Sequence, residues 1–187
     1  LQGRVHWDVT GEHNRLNALA AIAAARHVGV APQTAIESFA RYRMPKRRME
    51  VKGVVNDITV YDDFAHHPTA ITTTVAGLRK RVGSARILAV LEPRSNTMKL
   101  GVMKAQLPES LRDTDWVFGY GASEGKDALG WDLAESLSPL GEKARAFSDL
   151  SELVQAVKAQ ARAGDHILVM SNGGFGGVHQ KLLDALA

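Results

Sequence analysis

Four segments of this chain set charged, amide or hydroxyl side chains beside turn-forming residues. They are Asp62-Asp63-Phe64-Ala65-His66-His67-Pro68, Glu92-Pro93-Arg94-Ser95-Asn96-Thr97, Gly119-Tyr120-Gly121-Ala122-Ser123 and Ser171-Asn172-Gly173-Gly174-Phe175-Gly176-Gly177. An acid pair, a histidine pair, an arginine among hydroxyl and amide groups, and a glycine run together exceed what turn-making requires, although loops are polar in any protein. Each group suits a particular chemistry. A carboxylate at Asp62–Asp63 can accept hydrogen bonds from a ribose or reach a Mg²⁺ shared with a nucleotide. Arg94 beside Ser95, Asn96 and Thr97 has the fork geometry of a carboxylate or phosphate clamp, or is a surface ion-pair partner. The run Gly173–Gly177 is either simple backbone permissiveness or a set of N–H groups cradling an anion at a helix start. His66-His67 beside the acid pair invites a metal reading. Neighbouring histidines in an extended loop point apart, so no metal held wholly by this chain is expected.

The flanking pattern predicts elements that bring these loops together. Strands are expected at Met49–Val55, Ile58–Tyr61, Arg86–Leu91, Trp116–Phe118 and His166–Met170. Helical spacing joins Ile71, Val75, Leu78 and Val82 behind Pro68, then Leu100, Met103, Leu107 and Leu111, then Leu150, Leu153, Val154 and Val157 behind Asp149. Ile87–Leu91 and Ile167–Met170 are apolar at every position, as in strands buried on both faces. Alternation of strand and helix then predicts an α/β domain, a Rossmann-like doubly wound and mainly parallel sheet. Ligands bind such sheets beyond the carboxyl ends of the strands, where all four segments would fall.

Ahead of this domain, Asn14–His27 is alanine-rich, with Leu16, Leu19, Ala20 and Ala23 at packing intervals and Gly29 as a stop. Pro32 starts a second helix carrying Ile36, Phe39 and Ala40. Residues 1–42 therefore read as a short helical remnant of another domain, and residues 45–187 as the α/β domain, with the boundary at Tyr42–Pro45. The chain starts on Leu1, and Gly3–Trp7 reads like a strand already under way, so it is expected to be cut from something longer.

Composition removes several function classes. Lys and Arg number 23 against 20 Asp and Glu, a net charge of +3, and aromatic residues make up 6%. No basic run exceeds a triplet such as Lys46–Arg48, so nucleic acid is not an expected partner. No apolar stretch approaches the ~20 residues that span a bilayer, so no membrane is expected either. Cysteine is absent, which removes disulfides and thiolate chemistry and suits a cytoplasmic location. Gly121–Asp127 has one spacer fewer than a P-loop and ends in Asp127, which lacks the hydroxyl needed for Mg²⁺; Gly119, Gly121 and Gly125 miss the dinucleotide spacing. No self-contained catalytic triad or carboxylate pair is visible.

Taken in order, Gly11-Glu12-His13-Asn14-Arg15-Leu16-Asn17, Arg47-Arg48-Met49-Glu50 and the loop Asp62–Pro68 resemble the Mur ligases of peptidoglycan synthesis, ATP-dependent enzymes that join a carboxylate to an amine. Glu92–Lys99 and Ser171–Lys181 resemble the branch that attaches L-alanyl-γ-D-glutamyl-meso-diaminopimelate, a recycled murein tripeptide, to UDP-N-acetylmuramate. The branch that adds L-alanine shares the Asp-Asp and His-His-Pro loop but has Pro-His-Arg and a Tyr where Glu92–Thr97 stands. A non-catalytic α/β ligand-binding module is the alternative outside enzymes.

The resemblance implies three domains, of which residues 1–42 would be the tail of the central ATPase domain and residues 45–187 the whole of the third. It implies adenine contacts at Asn14, Asn17 and His13, with helix capping as the bland alternative for Asn14. It implies ribose and phosphate contacts at Asp63 and Arg48, with ATP and Mg²⁺ as cofactors of the full-length enzyme. Arg94 is expected to hold a peptide carboxylate, with Ser95, Asn96 and Thr97 adding hydrogen bonds. Ser171, Asn172, Gly173 and Gly174 would line the same cleft, and His67 would face the reacting centre. The family's P-loop, Mg²⁺ ligands and sugar site have no counterpart among these residues, so the chain alone is expected to be inactive.

Overall fold

Alanine has the smallest intrinsic cost in a helix, and an alanine-rich run forms the first one. The computed structural model describes residues 3–7, 9, 11–125 and 128–187, and the chain divides into two units, Leu1–Lys46 and Arg47–Ala187. In the first unit α1 spans Glu12–His27 and α2 spans Pro32–Ser38, with Pro32 at a first-turn position whose missing N–H costs nothing. α1 ends as the N–H groups of Val28 and Val30 donate to Ala25 O, with Gly29 taking φ 88° between them. The face expected to pack, Leu16, Leu19, Ala20 and Ala23, is exposed, and Ala18 is buried instead. Alanine on every side of a helix leaves its periodicity without a unique face. Gly3–Trp7 is likewise not a strand: Trp7 packs its ring on Phe39 and Tyr42, at 5.0 and 5.8 Å.

The second unit is built on six strands: β1 Glu50–Val55, β2 Ile58–Asp63, β3 Ile87–Leu91, β4 Trp116–Tyr120, β5 Ala144–Phe147 and β6 His166–Met170. Their order across the sheet is β1-β2-β6-β3-β4-β5. β1 pairs with β2 antiparallel, and every other pairing is parallel. The hairpin between β1 and β2 turns on Asn56 and Asp57, both at positive φ (50° and 61°), as a two-residue turn that follows strand twist requires.

Helices cover both faces. On one side α3 (Pro68–Val82), α5 (Leu107–Ser110) and α6 (Leu133–Leu137) bury Ile71, Val75, Leu78, Leu107 and Leu137 against Ile87, Ala89, Leu91 and Leu168. On the other, α7 (Leu150–Gln160) and α8 (Val178–Leu186) bury Leu153, Val157, Val178 and Leu182 against Leu88, Val90, Ile167 and Val169. Each such Val, Leu or Ile side chain contributes about 1.5–3 kcal/mol relative to exposure. Successive residues of β3 and of Ile167–Met170 in β6 feed opposite cores, which is why both runs are apolar throughout. The single helix expected through Leu100 and Leu111 is broken. α4 (Asn96–Lys99) ends before Gly101 turns at φ 72°, and a short 3₁₀ turn precedes α5. The turn lets Trp131 Nε1 donate to Met98 O at 2.6 Å and leaves Leu100 78% exposed.

Candidate functional site

Strand register places three carboxyl ends level with one another. Asp63 is opposite Met170, and Met170 is opposite Leu91, so the loops after β2, β6 and β3 leave the sheet side by side. The N–H of Ser171 donates to Asp63 O and that of Glu92 to Met170 O, extending the ladder one residue past the strands. The chain then runs from β3 towards α5 on one face and from β6 to α8 on the other. Adjacent loops departing to opposite faces open a crevice, the usual ligand position in a doubly wound sheet.

The crevice floor is a polar network. Ser171, fully buried, donates its Oγ to Glu92 Oε2 at 2.5 Å and accepts from Gly173 N at 2.9 Å. Arg94 lies against Gly173. Arg47 sends Nη2 to the carbonyls of Ser171 (2.5 Å) and Gly173 (2.9 Å), and its Nε to Asp62 Oδ1 at 3.3 Å. His179, in the first turn of α8, brings Nε2 within 3.2 Å of the same Asp62 oxygen but without hydrogen-bond alignment. Burial lowers the His179 pKa from the usual 6.5, outweighing the nearby Asp62 carboxylate, and the cations Lys52 and Arg47 act in the same downward direction.

The expected site residues divide by what the structure asks of them. Asp63 is 3% exposed, and its carboxylate accepts from Met49 N and Ala65 N at 2.8 Å each and from Thr74 Oγ1 at 3.3 Å. It shapes the loop that carries His66 and His67. Arg48 is exposed, its guanidinium 5.7 Å from the Phe64 ring centre. His67 stands at the N-cap of α3, where its side chain makes no capping hydrogen bond, and His66 Nδ1 is 2.8 Å from Phe64 O. Ser95 caps α4 by accepting from Met98 N, while Asn96 and Thr97 stand exposed in that helix's first turn.

The glycine loop is less free than its composition suggests. The N–H of Gly173 binds Ser171 and that of Gly177 binds Gly174 O, so neither is left to cradle an anion. Phe175, Gly176 and Gly177 take φ 45°, 55° and 70°, and buried Phe175 seats the turn on Tyr120 at 5.7 Å. Asn172 Oδ1 is buried with no partner among the described residues. His13, Asn14 and Asn17 all sit on α1 in the first unit, and the helix begins at Glu12 after Gly11, so Asn14 is not its cap. In the P-loop-like segment, Lys126 and Asp127 lie outside the described residues. Gly119 and Gly121 there serve packing, since a β-carbon on either would come 2.8 Å from Leu137 or Leu129. Arg47 and His179 were given no role of their own by the sequence, because each acts through partners distant in the chain. No three His, Asp or Glu side chains converge as metal ligands among the described residues.

A helix-covered, mainly parallel sheet with an arginine- and carboxylate-lined crevice is the architecture of a doubly wound ligand-binding domain, and comparison identifies its family. Residues 47–173 match the family model described as Mur ligase, glutamate ligase domain. The chain belongs to the Mur ligase family. It is 53% identical over 186 residues to the UDP-N-acetylmuramate–L-alanyl-γ-D-glutamyl-meso-2,6-diaminoheptandioate ligase of Escherichia coli, covering 99% of this chain and 40% of that protein. It is 33% identical to the UDP-N-acetylmuramate–L-alanine ligase of Myxococcus xanthus, over 95% of this chain and 39% of that one. Among solved structures, the murein peptide ligase of Psychrobacter arcticus superposes with a TM-score of 0.78 at 44% identity, covering 97% of this chain and 38% of that one. The chain thus spans about two fifths of the length of these relatives.

Proposed function

We propose that this chain is the carboxyl-terminal part of an ATP-dependent ligase that joins the murein tripeptide L-alanyl-γ-D-glutamyl-meso-diaminopimelate to UDP-N-acetylmuramate, in cytoplasmic peptidoglycan recycling. The observation that carries the reading is identity of 53% over 186 residues to a ligase named for that reaction, against 33% for one that adds L-alanine. Residues 1–42 are then the end of the central ATPase domain. ATP supplies activation of the muramate carboxylate as an acyl phosphate, from which the tripeptide's amine displaces phosphate.

The contribution of this chain is positioning and charge neutralisation. Arg94 takes a carboxylate of the incoming peptide, with the exposed Asn96 and Thr97, and Ser95 at their helix start, adding hydrogen bonds. The rim Ser171–Gly174 lines the same crevice, and His67 faces the reacting centre. Arg48, exposed and cationic, suits phosphate, and Asn14, Asn17 and His13 suit an adenine edge. Asp63 supports these contacts by holding its loop. Mg²⁺ for the full-length enzyme is held by groups beyond this chain and by the nucleotide itself. Steady-state kinetics of the full-length protein with tripeptide, dipeptide and L-alanine test the reading. Preference for tripeptide is expected, and preference for L-alanine would replace it with the other branch.

A further inference from the structure

Arg47 opens the second unit beside Arg48, and like it approaches the Phe64 ring, its guanidinium 5.3 Å from the ring centre. The side chain is 27% exposed, against 7% for its partner Asp62. Its guanidinium reaches three acceptors on two strand-end loops: Asp62 at the end of β2, and the carbonyls of Ser171 and Gly173 after β6. Its own backbone is fixed as well. Arg47 takes φ 61°, donates its N–H to Glu50 Oε2 at 2.9 Å, and accepts from Phe64 N at 2.9 Å. A planar fork with several N–H groups can satisfy this set, whereas a single ammonium cannot span it.

Gly173 O and Gly173 N are both held, one by Arg47 and the other by Ser171 Oγ. Arg94 rests on that same glycine, in space a β-carbon would fill. The placement of Arg94 therefore depends on where Arg47 holds the Ser171–Gly173 segment. We propose that Arg47 is a positioning residue that sets the affinity of the crevice for the peptide carboxylate through Gly173 and Arg94, without touching the peptide. This rests on the reading of Arg94 as the carboxylate clamp.

The test uses the full-length protein carrying Arg47→Ala or Arg47→Lys, with kinetics and peptide-level hydrogen exchange measured side by side. Arg47→Ala is expected to raise exchange across Ser171–Gly177 and to raise KM for the tripeptide by roughly tenfold or more, since small displacements of positioning groups carry such penalties. KM for ATP is expected to stay within about twofold of the parent on the same reasoning. Arg47→Lys keeps a cation beside Asp62, so it is expected to recover thermal stability while leaving the tripeptide KM raised. Unchanged exchange in the Ala variant would overturn the structural link, and unchanged tripeptide KM would overturn the positioning role. An equal rise in both KM values would also overturn it, by assigning Arg47 to the nucleotide or to the fold as a whole. If the parent protein ligates no tripeptide, the proposed function fails and the peptide role of Arg47 falls with it. The exchange result then reports on the loop attachment alone.

Discussion

Arg94 lies across the backbone of Gly173, its Cδ 2.6 Å and its Cζ 2.7 Å from where a β-carbon on that glycine would stand. No side chain fits there while Arg94 keeps its position. Gly173 does not need its conformational freedom for this, since only its missing side chain matters. Gly173→Ala is therefore expected to displace Arg94 with little effect on folding. Tripeptide KM in the full-length protein should rise roughly tenfold or more, with Tm lower by no more than a few degrees. A normal tripeptide KM in a well-folded Ala variant would remove Arg94 from the carboxylate site.

Ser171 bridges Glu92 and Gly173 in a fully buried position. Ser171→Ala leaves a buried carboxylate without its donor and a backbone N–H without its acceptor. The cost should be about 1–3 kcal/mol. For a chain of this size that is a Tm lower by roughly 2–10 °C, measured by calorimetry. A change under about one degree would mean that solvent reaches Glu92 freely.

His179 gives the fold a pH dependence whose sign is fixed by its lowered pKa. The folded protein resists protonating this ring, chiefly because the ring is buried, while the unfolded chain protonates it near the usual 6.5. Above that value both states are neutral at this position and no stability is lost. As pH falls through 6.5 towards the lower folded-state pKa, the unfolded state binds the proton first and stability declines. His166 shifts in the same direction, mainly by burial, with Asp165 opposing, and adds to the effect. Denaturant midpoints measured between pH 8 and 5 should drop more for the parent than for His179→Gln. Parallel curves for the two would assign the acid sensitivity elsewhere.

Gly119 in β4 faces the side chains of Leu137 and Leu133, which a β-carbon would approach to 2.8 and 3.0 Å. Both leucines belong to the core layer on that face and are buried. Gly119→Ala should cost about 1–3 kcal/mol by overpacking, read as a lower denaturant midpoint with an unchanged m-value. A neutral or stabilising substitution would show that α6 can shift outward.

The 187-residue chain by itself should form no amide bond and hydrolyse no ATP, because it carries no Gly-x-x-x-x-Gly-Lys-Thr/Ser loop. A product assay with ATP, UDP-N-acetylmuramate and tripeptide checks this directly. Turnover above background would mean that catalysis resides in groups this chain does contain.

The sheet was legible because its signals are local. β3 and the run Ile167–Met170 of β6 are apolar at every position, and the helix behind Pro68 buries Ile71, Val75 and Leu78 at the expected spacing. β5 escaped notice because Ala144-Arg145-Ala146-Phe147 is a short edge strand, half-exposed and without alternation. The helix expected through Leu100 failed because Gly101 turns the chain so that Trp131 can reach Met98, a contact spanning 33 positions that no window detects. The site shows the same division. Arg94, Ser171 and Gly173 stand in conspicuous loops. Arg47 and Glu92 acquire their tasks only from acceptors and donors far along the chain, at separations of 124 and 79 residues. For Asp63 the resemblance implies a ribose contact, and the sequence does not display the internal donors its carboxylate also serves. Its three internal donors come from Met49, Ala65 and Thr74, and only folding brings two of these to it.

The left-handed conformations of Arg47 and Met49 have a practical corollary for recombining such proteins. The path from Arg47 to Glu50 is wedged at several points: Asp63 holds the amide of Met49, Glu50 holds that of Arg47, and Phe64 binds the carbonyl of Arg47. A residue inserted or deleted in that stretch would shear the guanidinium from its acceptors. Chimeras between relatives, or linkers grafted to change reach, should therefore be spliced upstream of Arg47, and library designs should treat Arg47–Glu50 as a block inherited intact with the strand it feeds.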